Sequence, residues 1–193
     1  MIVVADTGPI GCSVRKGRNA RGGAEQQGME TVYIETSFVS LLVGNPSRDL
    51  ITAANQQVTR DWWRLRREEF VCITSSEVVR EAGMGDLEQA RKRLEILHGL
   101  AQLTVSAEAE QLTLALLTTH ALPARAQTDA AHLALAATAK ADYLLTWNCR
   151  HLANAQILSR LEIEAGRQGW KLPKVCTPFE LMGDFYDEIG PDS

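Results

Sequence analysis

Glu35, Glu81, Asp129 and Asn148 are the polar residues of this chain that stand where strands are expected to end and helices to begin. In an open parallel sheet such places share one crevice, because the loops leaving the carboxyl ends of the strands converge there. Three carboxylates and an amide offer oxygen donors. Carboxylates about 4 Å apart repel by roughly 4 kcal/mol per pair at an effective dielectric of about 20. A bare cluster therefore protonates or spreads, and a divalent cation removes the conflict. Taken singly, each residue also has a structural explanation. Glu35 suits a strand-end surface acid, Glu81 a solvated helix position, Asp129 the favourable end of a helix macrodipole, and Asn148 a turn. His132 lies three residues after Asp129, on a neighbouring helix position. A lone histidine in an apolar helix reads first as a core residue or as support for a ligand, with direct ligation the lesser reading.

The elements that must position these residues follow from periodicity. Thr31-Val32-Tyr33-Ile34 is a β-branched and aromatic run suited to a buried strand, and the strand is assigned to Val32 through Glu35. Ala54, Val58 and Trp62 recur every four residues and place a helix over about Asp49 to Arg67. Phe70 to Thr74 reads as a second strand, with Ser75-Ser76 and Glu77 as a helix start. Ala90, Leu94 and Leu97 mark a helix ending near Gly99, Leu103-Thr104-Val105 a weak third strand, and Leu112 with Leu116 a helix before Pro123. Asp129 to Ala139 is apolar on nearly every side, as a helix in the centre of a domain would be. Tyr143 to Thr146 is the fourth strand. A helix carrying Leu158, Leu161 and Ala165 follows, then Val175-Cys176, and Thr177-Pro178-Phe179-Glu180 is a capping box with proline at the first helical position. Strands alternating with helices predict an α/β fold with a mainly parallel central sheet covered by helices on both faces.

The chain has a second start at Met29. Met1 to Gly28 opens on Ile2-Val3-Val4-Ala5-Asp6, which itself resembles a strand and acid, but continues into the Gly/Arg-rich run from Gly17 to Gly23. Residues 1–28 are therefore read as a flexible N-terminal extension or a start assigned too early, and residues 29–193 as a single domain.

At 193 residues and 45% hydrophobic content, one sizeable core is expected. No apolar run approaches the roughly 18 residues that cross a bilayer. With no basic leader before Asp6, a cytoplasmic protein without membrane association is expected. Cys12, Cys72, Cys149 and Cys176 are scattered and suggest isolated thiols rather than zinc ligands or disulfides. The net charge of -4 argues against bulk electrostatic coating of nucleic acid. The clusters at Arg64 to Arg67 and Arg91 to Arg93 read as solvated helix faces. No Gly-x-Gly-x-x-Gly or phosphate-binding loop follows a strand, so a nucleotide-binding domain is disfavoured.

Four segments in order carry a resemblance: Val32-Tyr33-Ile34-Glu35-Thr36-Ser37, Ser76 to Glu81, Thr128-Asp129-Ala130-Ala131-His132-Leu133-Ala134, and Asp142-Tyr143-Leu144-Leu145-Thr146-Trp147-Asn148. With the closing Cys176 to Leu181, they resemble the PIN-domain ribonucleases, specifically the VapC-type toxins of toxin–antitoxin pairs. The resemblance implies a PIN-like domain and a Mg²⁺- or Mn²⁺-dependent endoribonuclease. Glu35, Glu81, Asp129 and Asn148 would be its catalytic positions, with Glu35, Glu81 and Asp129 holding the metal. Thr36 or Ser37 corresponds to the hydroxyl after the first acid, and Arg150, in the loop after Asn148, is placed to meet a phosphate. The implied partners are an RNA substrate, a cognate antitoxin and a second copy in a homodimer. Adjacent Trp62 and Trp63 would point about 100° apart on a helix, so that one can face the core and the other a surface that could serve such a contact, although both rings partly buried in one core is the first reading. Glu35 stands where the family usually has aspartate and reaches one methylene further, and Asn148 replaces another aspartate, which favours one metal over two. A domain that binds RNA or protein with weakened or lost catalysis is the alternative these departures leave.

Overall fold

The computed structural model describes residues 28–123 and 125–183. The extension expected over residues 1–28 lies outside the described residues apart from Gly28, as do Cys12 and the strand-like run ending at Asp6.

Within the described residues, five strands form one sheet: β1 (Thr31–Ile34), β2 (Val71–Ser75), β3 (Ala101–Leu103), β4 (Tyr143–Leu145) and β5 (Lys174–Cys176). Their spatial order is β3-β2-β1-β4-β5, and every pairing is parallel. The sheet expected to be mainly parallel is parallel throughout. Seven α-helices flank it: α1 (Thr36–Val43), α2 (Leu50–Leu65), α3 (Ser76–Ala82), α4 (Leu87–His98), α5 (Ala107–Thr118), α6 (Gln127–Thr138) and α7 (Ala155–Arg167).

Most helix starts are set by local chemistry. Asp49, Ser75, Asp86, Ser106 and Asn154 each accept a backbone N–H from the first turn that follows. The sequence reading missed the third strand by two residues. β3 is Ala101–Leu103, in register with Ile73 to Ser75 of β2, while Thr104 and Val105 lie beyond it. Pairing with the neighbour overrode the β-branched preference of the later residues. The capping-box segment closes as a 3-10 turn over Pro178–Leu181, in which the Glu180 carboxylate reaches back to the Thr177 N–H at 2.7 Å.

The strand order explains α6. After β3, at one edge, the chain returns across the sheet through α5 and α6 to form β4 on the far side of β1. A helix on that path is covered from several directions, and Ala130 and His132 to Ala137 are all buried. On the other side Trp62 packs edge-on to Phe38, with ring centroids 5.5 Å apart, and stacks on Phe70 at 5.7 Å. Trp62 is fully buried, whereas Trp63 is partly exposed beneath the Arg67 guanidinium at 4.8 Å. Both rings thus join one core, Trp62 wholly and Trp63 in part, the latter with its ring centroid 6.0 Å from that of Phe38.

Candidate metal centre

β1 has β2 on one side and β4 on the other, and between β1 and β4 the chain order reverses. A ligand crevice in an open parallel sheet opens at such a reversal, outside the carboxyl ends of the strands. Glu35 follows β1 directly, Thr146 to Asn148 follow β4, and Glu81 lies in α3, which follows β2.

Glu35 is 5% exposed and caps α1. Its Oε2 accepts the Ser37 N–H at 2.9 Å, the Thr146 hydroxyl at 2.8 Å and the Ser37 hydroxyl. All three bonds fall on one oxygen, which leaves Oε1 as the donor open to a cation. The Trp147 N–H donates to Ser37 Oγ at 2.8 Å and the Asn148 N–H to Thr146 Oγ1 at 2.9 Å, tying the loop after β4 to the start of α1. On α3, Glu81 Oε2 accepts the Thr36 hydroxyl at 2.5 Å and meets His132 Nε2 at 3.1 Å. The hydroxyls of Thr36 and Ser37, expected from the resemblance to stand beside the first acid, each hold one carboxylate.

Glu35, Glu81 and His132 present ligand atoms that all lie within 4.8 Å of one another. Two carboxylates and an imidazole at this spacing fit one divalent cation. Tyr33 sits behind the imidazole. Its hydroxyl is 2.9 Å from His132 Nδ1 and 2.6 Å from Ser75 Oγ, all three groups buried. Burial raises the Tyr33 phenol well above its ordinary range, so it stays protonated. Burial works to lower the His132 pKa, but the Glu81 hydrogen bond and the charges of Glu35, Glu81 and Asp129 outweigh it, and the net direction is up. Burial likewise works to raise the Glu81 pKa. The bonds from His132 and Thr36 and the charges of His132 and Arg80 reverse it, leaving the carboxyl below its usual range.

Asp129 lies in the first turn of α6, one turn before His132, and is not a member of the three-residue group. Both its oxygens are engaged: Oδ1 by the Asn148 amide N–H at 2.9 Å and Oδ2 by His151 Nδ1 at 2.8 Å. The His151 N–H in turn donates to Asn148 Oδ1 at 3.2 Å. The structure thus brings the four sequence-derived positions to one end of the sheet in two linked pairs, Glu35 with Glu81 and Asp129 with Asn148. Arg150 is exposed in the loop after Asn148.

Sequence reasoning had His132 first as a core or supporting residue, with direct ligation the lesser reading, and missed the pairing of His151 with Asp129. One signal was present for Tyr33: it stands two residues before Glu35 along β1, and that spacing puts both on one side of the sheet. The basic clusters serve local structure. Arg64 pairs with Asp61, Arg66 with Glu69 and the Met182 carbonyl, and Arg93 with the carbonyls of Ala82 and Met84.

No protein-family model matches the chain, and no curated protein matches it. Among solved structures it is similar to VapC20 of Mycobacterium tuberculosis, a sarcin-ricin loop cleaving toxin. The TM-score is 0.50 and the identity 19%, over 62% of this chain and 91% of that one. The likeness shows the fold, a PIN-like α/β arrangement. Among the described residues, no helix is long and apolar enough to cross a membrane.

Proposed function

We propose that the chain is a metal-dependent endoribonuclease of the kind found as the toxin of a toxin–antitoxin pair. One observation carries the reading: at the crevice end of a PIN-like sheet, Glu35, Glu81 and His132 converge to within 4.8 Å. Support comes from the four-segment resemblance and from the fold shared with a sarcin-ricin loop cleaving toxin.

In this proposal Glu35 and Glu81 hold a Mg²⁺ or Mn²⁺ ion, and Asp129 supports it from the head of α6, directly or through water. A bound ion polarises a phosphoryl oxygen and offsets charge on the leaving oxygen. The chain's own residues preorganise the site. Ser37 and Thr146 fix the Glu35 carboxylate, Thr36 fixes Glu81, and Asn148 with His151 fixes Asp129. Carboxylates held in this way need no reorganisation when charge develops on the phosphate. Arg150 meets a substrate phosphate. A cognate antitoxin and a homodimer complete the proposed setting.

The alternative, an RNA- or protein-binding domain without turnover, is favoured by one observation. Asn148 uses its amide N–H as a donor to Asp129 and brings no charge where the family has a fourth acid. Sequencing RNA 5′ ends after induction of wild type, Asp129→Asn and Glu81→Gln separates the two. New ends made by wild type and lost by orders of magnitude in both variants are expected; ends unchanged in both would remove the metal-site assignment.

A further inference from the structure

The sequence implied an oxygen-only ligand set, and the structure adds an imidazole to it. We propose that His132 gives Nε2 to the divalent ion held by Glu35 and Glu81, and that this mixed oxygen and nitrogen set makes the site prefer Mn²⁺ to Mg²⁺. The inference rests on the metal site proposed above.

Three observations lead to it. His132 is 1% exposed, yet its Nε2 lies among carboxylate oxygens rather than among the apolar side chains that line the rest of α6. Its other nitrogen is anchored. A histidine that ligates a metal characteristically donates its second ring N–H to a fixed partner, which sets the tautomer and aims the lone pair. Here Nδ1 faces the Tyr33 hydroxyl at 2.9 Å. Without an ion, the His132 Nε2–H donates to Glu81 Oε2 at 3.1 Å. A bound cation would displace that proton, and Tyr33 Oη, itself 2.6 Å from Ser75 Oγ, is placed to accept an Nδ1–H, which would turn the Nε2 lone pair to the metal.

The selectivity follows from ligand chemistry. Mg²⁺ binds oxygen, demands near-ideal octahedral geometry and keeps several waters. Imidazole suits transition ions rather than Mg²⁺, and carboxylates suit Mn²⁺, so of the two ions proposed for the site Mn²⁺ accepts the whole donor set. A site of two glutamates and a histidine therefore favours Mn²⁺, whereas two glutamates alone would discriminate little.

The test uses the full chain with Mn²⁺. Bound ion is counted by electron paramagnetic resonance, and electron spin-echo modulation detects any nitrogen coupled to it. Protein labelled with ¹⁵N-histidine should shift the modulation to the ¹⁵N frequencies. The signal should persist in His151→Gln, the other histidine bonded to an acid of the site, and vanish in His132→Gln. Competition should show Mn²⁺ binding tighter than Mg²⁺ by about tenfold or more, falling to within about threefold in His132→Gln. If His132→Gln fails to fold, the labelled wild type and His151→Gln still decide the assignment. Bound Mn²⁺ without histidine modulation overturns the role of His132 and leaves the metal site standing. Modulation lost in His151→Gln but kept in His132→Gln overturns it as well. No Mn²⁺ binding overturns both the inference and the site. A coupled nitrogen in a protein that cleaves no RNA upholds the coordination and removes only the nuclease reading.

Discussion

At the residue scale, Glu81 and His132 hold opposite ends of one hydrogen bond, and each perturbs the other in the direction that favours the charged pair. The Glu81 carboxyl lies below its ordinary value of 4.5, so its stabilising contribution is present above that value and is lost as pH falls through the folded-state pKa. The His132 imidazole lies above its ordinary value of 6.5, so its contribution is complete below that value and is lost as pH rises through the folded-state pKa. The metal-free protein should accordingly be most stable between the two. Urea midpoints in a chelating buffer should fall from about pH 5.5 to about pH 8.5, and His132→Gln should flatten that decline. A wild-type midpoint unchanged over the range would count against the pair. Glu81→Gln removes the charge from a bond to a buried ring, and should cost the metal-free protein about 1.5–3 kcal/mol in thermal or urea unfolding.

Elements hold the site as much as side chains do. α1 carries Thr36 and Ser37, and its far end turns at Gly44 into the loop that leads to α2. A β-carbon at Gly44 would lie 2.8 Å from the Ser40 carbonyl oxygen and 2.9 Å from Gln56 Nε2. Gln56 cannot yield without loss, because its amide bonds the Asn45 carbonyl at 2.8 Å and the Ser47 N–H at 3.0 Å. Gly44→Ala should therefore destabilise the fold by about 1–3 kcal/mol through overpacking, measured by chemical denaturation. An unchanged midpoint would mean that the loop is more compliant than these bonds imply. α6 is constrained differently. No side chain caps its start, and it is held by the burial of Ala130 and of His132 to Ala137. Its apolar character all round was legible in sequence. The strand it crosses over was not, since that depends on which edge of β1 receives β4.

For the whole molecule, a ligand that binds only the folded state stabilises it by mass action, about 2.7 kcal/mol at a hundredfold excess over Kd. Mn²⁺ should raise the melting temperature in a concentration-dependent way, and Glu81→Gln should lose most of the increase; a curve insensitive to both Mn²⁺ and Mg²⁺ would oppose a metal centre. The domain proposed from residue 29 onward makes a second prediction. β1 starts at Thr31, and the Glu30 carbonyl already accepts the Val71 N–H at 2.9 Å, so the sheet uses the chain from Glu30 onward. Protein beginning at Met29 should melt within about 1 °C of the full chain, below the roughly 2–4 °C expected to accompany a 1 kcal/mol loss in a domain of this size. A larger drop would show that residues 1–28 pack on the domain.

The sequence by itself determined the alternation of strands and helices, the starts of α2 and α3 and the central helix, and it offered the two glutamates as candidates. Each of these rests on local periodicity or on side chains within a turn of the backbone they cap, as Ser75 does for α3. Only the tertiary structure decided which donors share a site. Glu81 and His132 are 51 residues apart along the chain, and Asp129 and His151 are 22 apart. Pattern places each of them on an element but cannot set the distance between elements. That distance comes from strand order. With β1 between β2 and β4, the start of α1, the end of α3 and the first turns of α6 meet over one end of the sheet, and His132 becomes a neighbour of two carboxylates.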